Sequence, residues 1–329
     1  MLGSLALVRE RMTLSATSEI ERSIADRNAG KNQPLAAVGW ITAAILATFM
    51  GFAQLGMMLS LLLGRWGIAS VGPVALMLAL IVGELLGRHM GLTGRQRMWP
   101  PGLALGVIAL ALAMSAFYFD LSWDGQNYHQ LGIYTIAENW NPLTGPMQEF
   151  TPQLNSSVRY FAKGPWYVAV AIYETTGGFE AGKGTTVLSW VTMGLAVFAA
   201  SLDWGLRRRL AVVIALVVAL NPVVMSELTT FMVDGIMVAS LTVVVAALFS
   251  GFLRPQPVVI WVGCLATILS INAKFTGLVF LVFVFAASGL WCLFRRRQWV
   301  FAYGGWVVLA LLLGAVQFRL MKEPTNTGQ

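Results

Sequence analysis

Residues 102–140 read GLALGVIALALAMSAFYFDLSWDGQNYHQLGIYTIAENW, and the change of character within this stretch decides the fold. The first part, up to residue 119, is apolar or small and carries no charge. A run of this length can cross a hydrocarbon core about 30 Å thick as one α-helix. The second part, residues 120–140, concentrates carboxylates, a histidine, amides and aromatic rings, which indicates a polar site at the end of a membrane helix.

The whole chain shares the apolar character of the first part. It has 329 residues, of which 57% are hydrophobic and 11% charged, and its mean hydropathy is +0.71. Soluble domains carry about 25% charged residues, so this composition excludes an ordinary soluble protein. Long apolar runs recur over the whole length, which predicts an all-α polytopic membrane protein.

We predict about nine transmembrane helices, three within residues 35–119 and six within residues 184–318. Residues 1–34 form a cytoplasmic tail, and residues 319–329 form a short tail after the last span. The longest segment between spans, residues 120–183, follows the third helix. Its part at residues 160–176, YFAKGPWYVAVAIYETT, is too short and interrupted to span, so we predict interfacial helices within this loop.

The basic residues predict the orientation. With the N-terminus in the cytoplasm, cytoplasmic segments hold fifteen of the 22 Lys and Arg residues, as the positive-inside rule requires. The formal charge of +7 therefore reflects membrane topology, and we expect no nucleic-acid partner. In this orientation the loop at residues 120–183, Asp234 and Lys274 all lie on the extracytoplasmic side.

Within the loop, Asp124 is the candidate base. If the segment is helical, Tyr128 lies on the same face four residues later, and His129 is beside it. A partly desolvated carboxylate at the foot of a membrane helix is well placed to accept a proton. The alternative is that Asp124 or Ser122 only caps the start of a helix, as Asp and Ser often do.

Three further positions share that side of the membrane. Lys163 and Trp166 stand at the start of the predicted interfacial helix, where Lys163 either binds an anion or reaches toward lipid phosphate. Asp234 abuts a long apolar run, and a carboxylate there is costly unless it faces protein or water. Lys274 separates two apolar runs, so it either binds an anionic group or marks a tight turn.

We expect no metal and no cofactor. The sequence has no His or Cys cluster with zinc-ligand spacing and no Gly-rich phosphate loop on the cytoplasmic side. A divalent metal is an option that no residue pattern supports.

Taken in order, these residues resemble the GT-C superfamily of membrane glycosyltransferases, in particular the branch of aminoarabinose–lipid A transferases and protein O-mannosyltransferases. That branch carries Trp-Asp-Glu-x-x-Tyr after a membrane helix, and here residues 123–128 read WDGQNY, with Gly125 in place of the second acid. A helix beginning Lys-Pro-Pro is matched loosely by KGPWY at residues 163–167. A second extracytoplasmic Asp that opens a later helix is matched by Asp234. The likeness covers about residues 122–253.

The resemblance implies a sugar transferase in the plasma (inner) membrane that uses a polyprenyl-phosphate donor on the extracytoplasmic side. It implies an inverting transfer to a membrane lipid or glycan of the cell envelope. Asp124 and Asp234 would be the catalytic residues, Asp124 as the base and Asp234 positioning the acceptor or a basic group. Lys163 or Lys274 would lie at the departing phosphate. Tyr128, His129 and Trp166 would contact substrate.

Two alternatives remain open. The same residues suit a transporter or flippase that binds a lipid-linked saccharide, although no internal repeat of the kind common in transporters is visible. The chain could also be a non-catalytic membrane scaffold.

Overall fold

A computed structural model describes residues 2–144, Val158, residues 161–295 and eight residues between 304 and 315. Side chains are described from Asn32 onward, that of Arg295 excepted. Residues 145–157 of the predicted loop, most of the predicted last span and the tail at residues 319–329 therefore lie outside the described residues.

Within those ranges every regular element is helical. The helices are α1 (Leu2–Leu62), α2 (Val71–His89), α3 (Gly94–Arg97), α4 (Trp99–Phe117), α5 (Gln130–Glu138), α6 (Gly164–Thr176), α7 (Gly184–Asp203), α8 (Arg208–Ala219), α9 (Pro222–Ser226), α10 (Asp234–Leu253), α11 (Pro257–Ala273) and α12 (Phe275–Arg295). Short 3₁₀ turns precede α2 and α7, and one π-helical turn, Gly125–His129, precedes α5.

The described part of the chain has six helices that are long and apolar enough to cross a membrane. They are Asn32–Leu62, Ile68–His89, Gly94–Phe117, Phe179–Asp203, Asp234–Leu253 and Phe275–Phe294, and Pro257–Ala273 is a shorter apolar helix. These features are those of an all-helical, multi-pass membrane protein. The predicted number of nine spans stays a prediction.

One of the six spans predicted within residues 184–318 covers residues 210–225, and the structure differs most from the prediction there. The helix there, α8, has twelve residues and is therefore about 18 Å long. It stops before Asn221, whose side-chain Oδ1 accepts hydrogen bonds from the Val223 and Val224 amides at 3.0 and 3.4 Å. This cap, followed by Pro222 in the first turn, starts the separate short helix α9.

The six candidate spans form an inner and an outer group. In Asn32–Leu62, Phe179–Asp203 and Asp234–Leu253, between 56% and 78% of the apolar window is buried inside the protein. In Ile68–His89, Gly94–Phe117 and Phe275–Phe294 the buried share is 22–28%. The inner helices therefore make the core, and the outer ones present apolar side chains to their surroundings, as lipid-facing helices do.

Tryptophan side chains join the inner helices. Trp40 of α1 is fully buried and its Nε1 donates to Asp203 Oδ2 of α7 at 2.8 Å. Trp261 Nε1 of α11 donates to Thr48 Oγ1 of α1, also at 2.8 Å. Since a buried indole N–H needs an acceptor, these bonds fix which helix faces meet.

The segment predicted to be an interfacial helix contains α6, Gly164–Thr176. Its first nine residues are all buried, and it packs against α1, α5 and α11. Gly177, in a left-handed conformation, ends it in the usual way. The helix is thus enclosed by others of the bundle, and its position relative to a membrane surface stays a prediction.

Candidate functional site

The polar stretch after α4 is anchored by Asp120, which is 2% exposed. Its Oδ1 accepts hydrogen bonds from the Ser122 amide and hydroxyl at 2.8 and 2.7 Å. Its Oδ2 accepts one from the Phe231 amide at 2.7 Å. From the sequence we interpret Asp120 only as an interfacial residue that ends the preceding span, and these hydrogen bonds give it a further role. One buried carboxylate joins the segment that carries Asp124 to the segment that carries Asp234.

The helical turn that follows is capped by Ser122. Its Oγ accepts a hydrogen bond from the Gly125 amide at 3.1 Å, which is the position an N-cap side chain satisfies. Asp124 makes no side-chain capping bond within the described residues. Of the two capping candidates in the sequence, Ser122 holds that place, and the Asp124 carboxylate is available for other contacts.

Two glycines, Gly125 and Gly164, stand where the chain differs from the GT-C motifs that it resembles, and neither place has room for a side chain. A Cβ at Gly125 would lie 2.1 Å from Asp120 Oδ2 and 2.3 Å from Ser122 Oγ. A Cβ at Gly164 would lie 2.7 Å from both Asn272 O and Gln54 Nε2. An acid at position 125 would therefore collide with the buried Asp120 carboxylate, which takes up that space here.

Asp124, Tyr128, Glu227, Asp234 and Lys274 come together at one end of the bundle, and we call this group the open cluster. The pKa of Tyr128 is raised well above its usual value, first by burial and then by hydrogen bonding to, and the charge of, Asp124. The charges of Asp234 and Glu227 add to this rise. The phenol is therefore neutral at physiological pH, able to donate a hydrogen bond to a neighbouring carboxylate.

Lys274 and Asp234 form the ion pair of the open cluster. Lys274 Nζ lies 2.7 Å from Asp234 Oδ1, and the two side chains are 35% and 33% exposed. Asp234 begins α10, and Lys274 lies between α11 and α12. Because an ammonium has three donors, Lys274 can hold Asp234 and still bind a second anionic group from the open side.

Glu227, a residue that the sequence analysis does not single out, completes the group. It is 5% exposed, and its Oε2 accepts a hydrogen bond from the Gly235 amide at 2.6 Å. Burial raises its pKa, the Gly235 amide and Lys274 lower it, and Asp234 and Asp124 raise it. Its carboxylate lies beside the start of α10, close to where Asp234 projects.

His129 turns away from the open face into an aromatic cluster. It is buried, and its Nδ1 accepts a hydrogen bond from Trp166 Nε1 at 2.9 Å. Burial, with a smaller contribution from the charge of Lys274, lowers the pKa of His129 to about 3. The imidazole is therefore neutral, with its proton on Nε2. The Trp166 ring itself sits on Gly132, where a Cβ would lie 2.5 Å from the ring.

Lys163 lies on the far side of Trp166. It is fully buried, its Nζ donates to the Phe161 carbonyl at 3.3 Å, and it lies 5.5 and 6.0 Å from the ring centroids of Trp140 and Trp166. A lysine enclosed in this way is not reaching toward lipid phosphate. Among the predicted site residues, Asp124, Tyr128, Asp234 and Lys274 meet in the open cluster, whereas His129, Trp166 and Lys163 form the buried layer beside it.

A second ion pair, Lys183 with Glu180, lies at the same end of the bundle and was not predicted as part of a site. Lys183 Nζ is 2.5 Å from Glu180 Oε2, and the Lys183 side chain is 0% exposed. Lys183 also donates to the Tyr118 carbonyl and lies 5.9 Å from the centroid of the Phe231 ring. We call it the buried pair.

The chemistry open to this arrangement is acid–base and electrostatic. Three carboxylates, a phenol and one partly exposed ammonium can orient a hydroxyl, accept its proton and stabilise an anion. No group of three or more His, Cys, Asp or Glu side chains suited to a metal ion occurs in the described residues.

Comparison with protein-family models, curated proteins and solved structures finds no match for this chain.

Proposed function

We propose that this protein is a GT-C type membrane glycosyltransferase that moves a sugar from a polyprenyl-phosphate donor to a lipid or glycan acceptor of the cell envelope. The observation that carries the proposal is the open cluster. The resemblance singles out Asp124, Asp234 and Lys274, of which Asp124 precedes the other two by more than 100 residues. These residues lie together, and the lysine among them is partly exposed.

In the proposed reaction Asp124 accepts the proton of the acceptor hydroxyl. The hydroxyl oxygen forms a bond to the anomeric carbon as the bond from that carbon to the phosphate oxygen breaks. The polyprenyl phosphate leaves with the bonding electrons, and the configuration at the anomeric carbon is inverted. A carboxylate base in hydrogen-bonding reach contributes about 10²- to 10⁴-fold to such a step.

Lys274 is the residue that we assign to the departing phosphate. Both Lys163 and Lys274 are candidates by sequence, but Lys163 is fully buried whereas Lys274 is about one third exposed. A preplaced ammonium favours the charge that develops on the leaving oxygen. Asp234 holds Lys274 in position, so its role is to orient the cation, and Glu227 supports the start of the same helix.

We further propose that the chain lies in the plasma (inner) membrane with about nine spans and a cytoplasmic N-terminus, the short helices α8 and α9 together making one crossing. The distribution of Lys and Arg supports this orientation, and it puts the open cluster on the extracytoplasmic side, where lipid-linked donors of this superfamily are used. The loop at residues 120–183 would then carry its helices at that surface.

The test is transfer by the purified full chain. Protein in detergent is given radiolabelled polyprenyl-phosphate sugars and a total envelope extract as acceptor, and released polyprenyl phosphate is measured. We expect Asp124→Asn to lower the rate about 10²- to 10⁴-fold with an unchanged melting temperature. Glu138→Gln is the matched control, because Glu138 is an exposed carboxylate of the neighbouring helix α5, and its rate should stay within about twofold of wild type.

Undiminished transfer by Asp124→Asn would remove Asp124 as the base. If wild-type protein binds the lipid-linked sugars but releases no polyprenyl phosphate with any acceptor, the flippase alternative replaces the transferase. If it binds none of them, the scaffold alternative stands.

A further inference from the structure

A groove lies at the end of the bundle opposite the open cluster. It is formed by α7, α8 and α10, and its volume is about 390 Å³. Its lining includes Ala200, Trp204, Leu206, Val218, Ala246 and Phe249. The hydroxyls of Ser201 and Thr242, which also line it, donate to the carbonyls of Val197 and Val238 in their own helices. The wall therefore offers an almost purely apolar surface.

The groove extends along the helix axes. On α10 its lining residues run from Thr242 to Phe249, which at 1.5 Å per residue of helix is a length of about 10 Å. The adjoining face of α8 is apolar and exposed, with Val213, Leu216 and Val217 pointing outward, so the groove opens toward the surface that would face lipid.

Arginines follow the chain segments that form one end of this groove. Leu206, a lining residue, directly precedes Arg207, Arg208 and Arg209. Its carbonyl accepts a hydrogen bond from Asn32 Nδ2, and Asn32 Oδ1 accepts one from Arg208 Nε. Arg254 follows the last residue of α10. Positive charge is thus concentrated where the apolar groove ends.

We propose that this groove binds an anionic phospholipid, with one acyl chain along the groove and the phosphate among the arginines. An apolar slot parallel to the helices, with cations at one end, complements a molecule that has a hydrocarbon tail and an anionic head. Basic clusters at the ends of membrane helices are known to attract such head groups by about 1 kcal/mol per Lys or Arg.

The groove is too small to enclose a transmembrane helix of another protein. A 10 Å length of helix about 10 Å across occupies on the order of 800 Å³, about twice the groove volume of about 390 Å³. Only one face of such a helix can enter, whereas a single acyl chain is narrow enough to lie inside. The proposal is independent of the transferase function, because none of the lining residues belongs to the open cluster.

Native mass spectrometry of the detergent-purified full chain tests the proposal. The protein is titrated with phosphatidylglycerol or with phosphatidylcholine of identical acyl chains, and bound lipid is counted. We expect tighter binding of phosphatidylglycerol to wild type. Arg207→Gln/Arg209→Gln should weaken phosphatidylglycerol binding about thirtyfold, which corresponds to about 1 kcal/mol for each arginine. Arg88→Gln/Arg95→Gln removes the same charge from the last turn of α2 and from α3 and should leave binding unchanged.

The acyl-chain half of the proposal is tested by Ala246→Phe, which fills the groove, and by the milder Ala246→Leu. Both should weaken phosphatidylglycerol and phosphatidylcholine binding alike, in samples that still elute as folded protein. Equal affinity of wild type for the two lipids, or equal loss in the two arginine pairs, would overturn the proposal. Full binding by both folded groove variants, or a dimer that they convert to monomer, would overturn it as well.

Discussion

The buried pair and the ion pair of the open cluster are alike in chemistry and differ in their surroundings. Lys183 and Glu180 meet at 2.5 Å with the lysine fully enclosed, whereas Lys274 and Asp234 meet at 2.7 Å with about a third of each side chain exposed. Lys183 is also held by the Tyr118 carbonyl and lies against the Phe231 ring. The Lys183 side chain is fully buried, and that of Glu180 is 20% exposed.

The difference in exposure indicates a structural role for the charge of Lys183 and leaves the charge of Lys274 available to a ligand. A buried ion pair is costly to disrupt because removing one partner leaves the other desolvated. A partly exposed pair contributes little to stability, since water replaces the lost partner, but it leaves room for a ligand. Replacing the lysine should therefore cost mainly stability in the buried pair and mainly ligand binding in the ion pair of the open cluster.

The largest effect is expected for Lys183→Met. The variant leaves the Glu180 carboxylate without its cation and the Tyr118 carbonyl without its donor. We expect a loss of about 3–5 kcal/mol in the free energy of unfolding, seen as a large drop in melting temperature in detergent and in the yield of folded protein. A melting temperature within a few degrees of wild type would show that the buried pair is not structural.

A smaller effect is expected from His129, which is buried beside the open cluster. Its pKa is about 3 in the folded protein against 6.5 unfolded, so below pH 6.5 the unfolded state binds the proton first and stability falls. Between pH 6.5 and 4 this amounts to about 3 kcal/mol. His129→Gln should show a flatter decline of melting temperature over that range, and Lys274→Met should lessen the decline slightly by removing a repulsive charge. Parallel curves for wild type and His129→Gln would contradict this interpretation.

The next effect concerns the boundary between the buried Asp120 and the open cluster. Gly125→Ala puts a methyl group where Asp120 Oδ2 lies, so we expect a loss of about 1–3 kcal/mol. Gly194→Ala is the control, because nothing lies within 4 Å of the added Cβ in the middle of α7, and there alanine should gain up to about 1 kcal/mol. Thermal unfolding of the two variants gives the comparison directly, and equal stability would mean that the turn at Gly125 readily shifts.

The smallest change in stability is expected for Lys274→Met, under about 1 kcal/mol. The same variant should lose most of the proposed transfer activity, because the departing phosphate loses its cation. Thermal unfolding and sugar transfer, measured on one preparation, test both expectations. A destabilisation as large as that of Lys183→Met would remove the distinction between the two pairs.

Much of the fold follows from the sequence, since a charge-free apolar run of sufficient length has few alternatives to a membrane helix. Asp124, Asp234 and Lys274 could be identified because each is an ionisable residue at the end of such a run. The shortness of α8 could not be predicted, because the apolar composition continues past its end. Asn221 and Pro222 are typical of a helix start, but within an apolar run they do not by themselves indicate a break.

Other parts of the site depend on contacts that local pattern does not contain. Glu227 is recognisable only through its bond to the Gly235 amide, and Asp120 only through its bond to the Phe231 amide. Gly125 looks like a lost acid until the space that Asp120 fills is known. The enclosure of Lys163 likewise comes from tertiary packing around α6, which the sequence suggests would lie at a surface.

The bond from Asp120 to the Phe231 amide also has a consequence for biosynthesis. More than 100 residues separate the two, so the carboxylate leaves the ribosome long before its partner does. A nascent chain can insert its first helices while Asp120 still faces water or the insertion machinery. Only when residues 231–234 have been synthesised can Asp120 be enclosed and Asp124 and Asp234 be brought together. Chains arrested before that point should be inserted in the membrane yet lack the site, so assembly of the site marks a late step in the maturation of this protein.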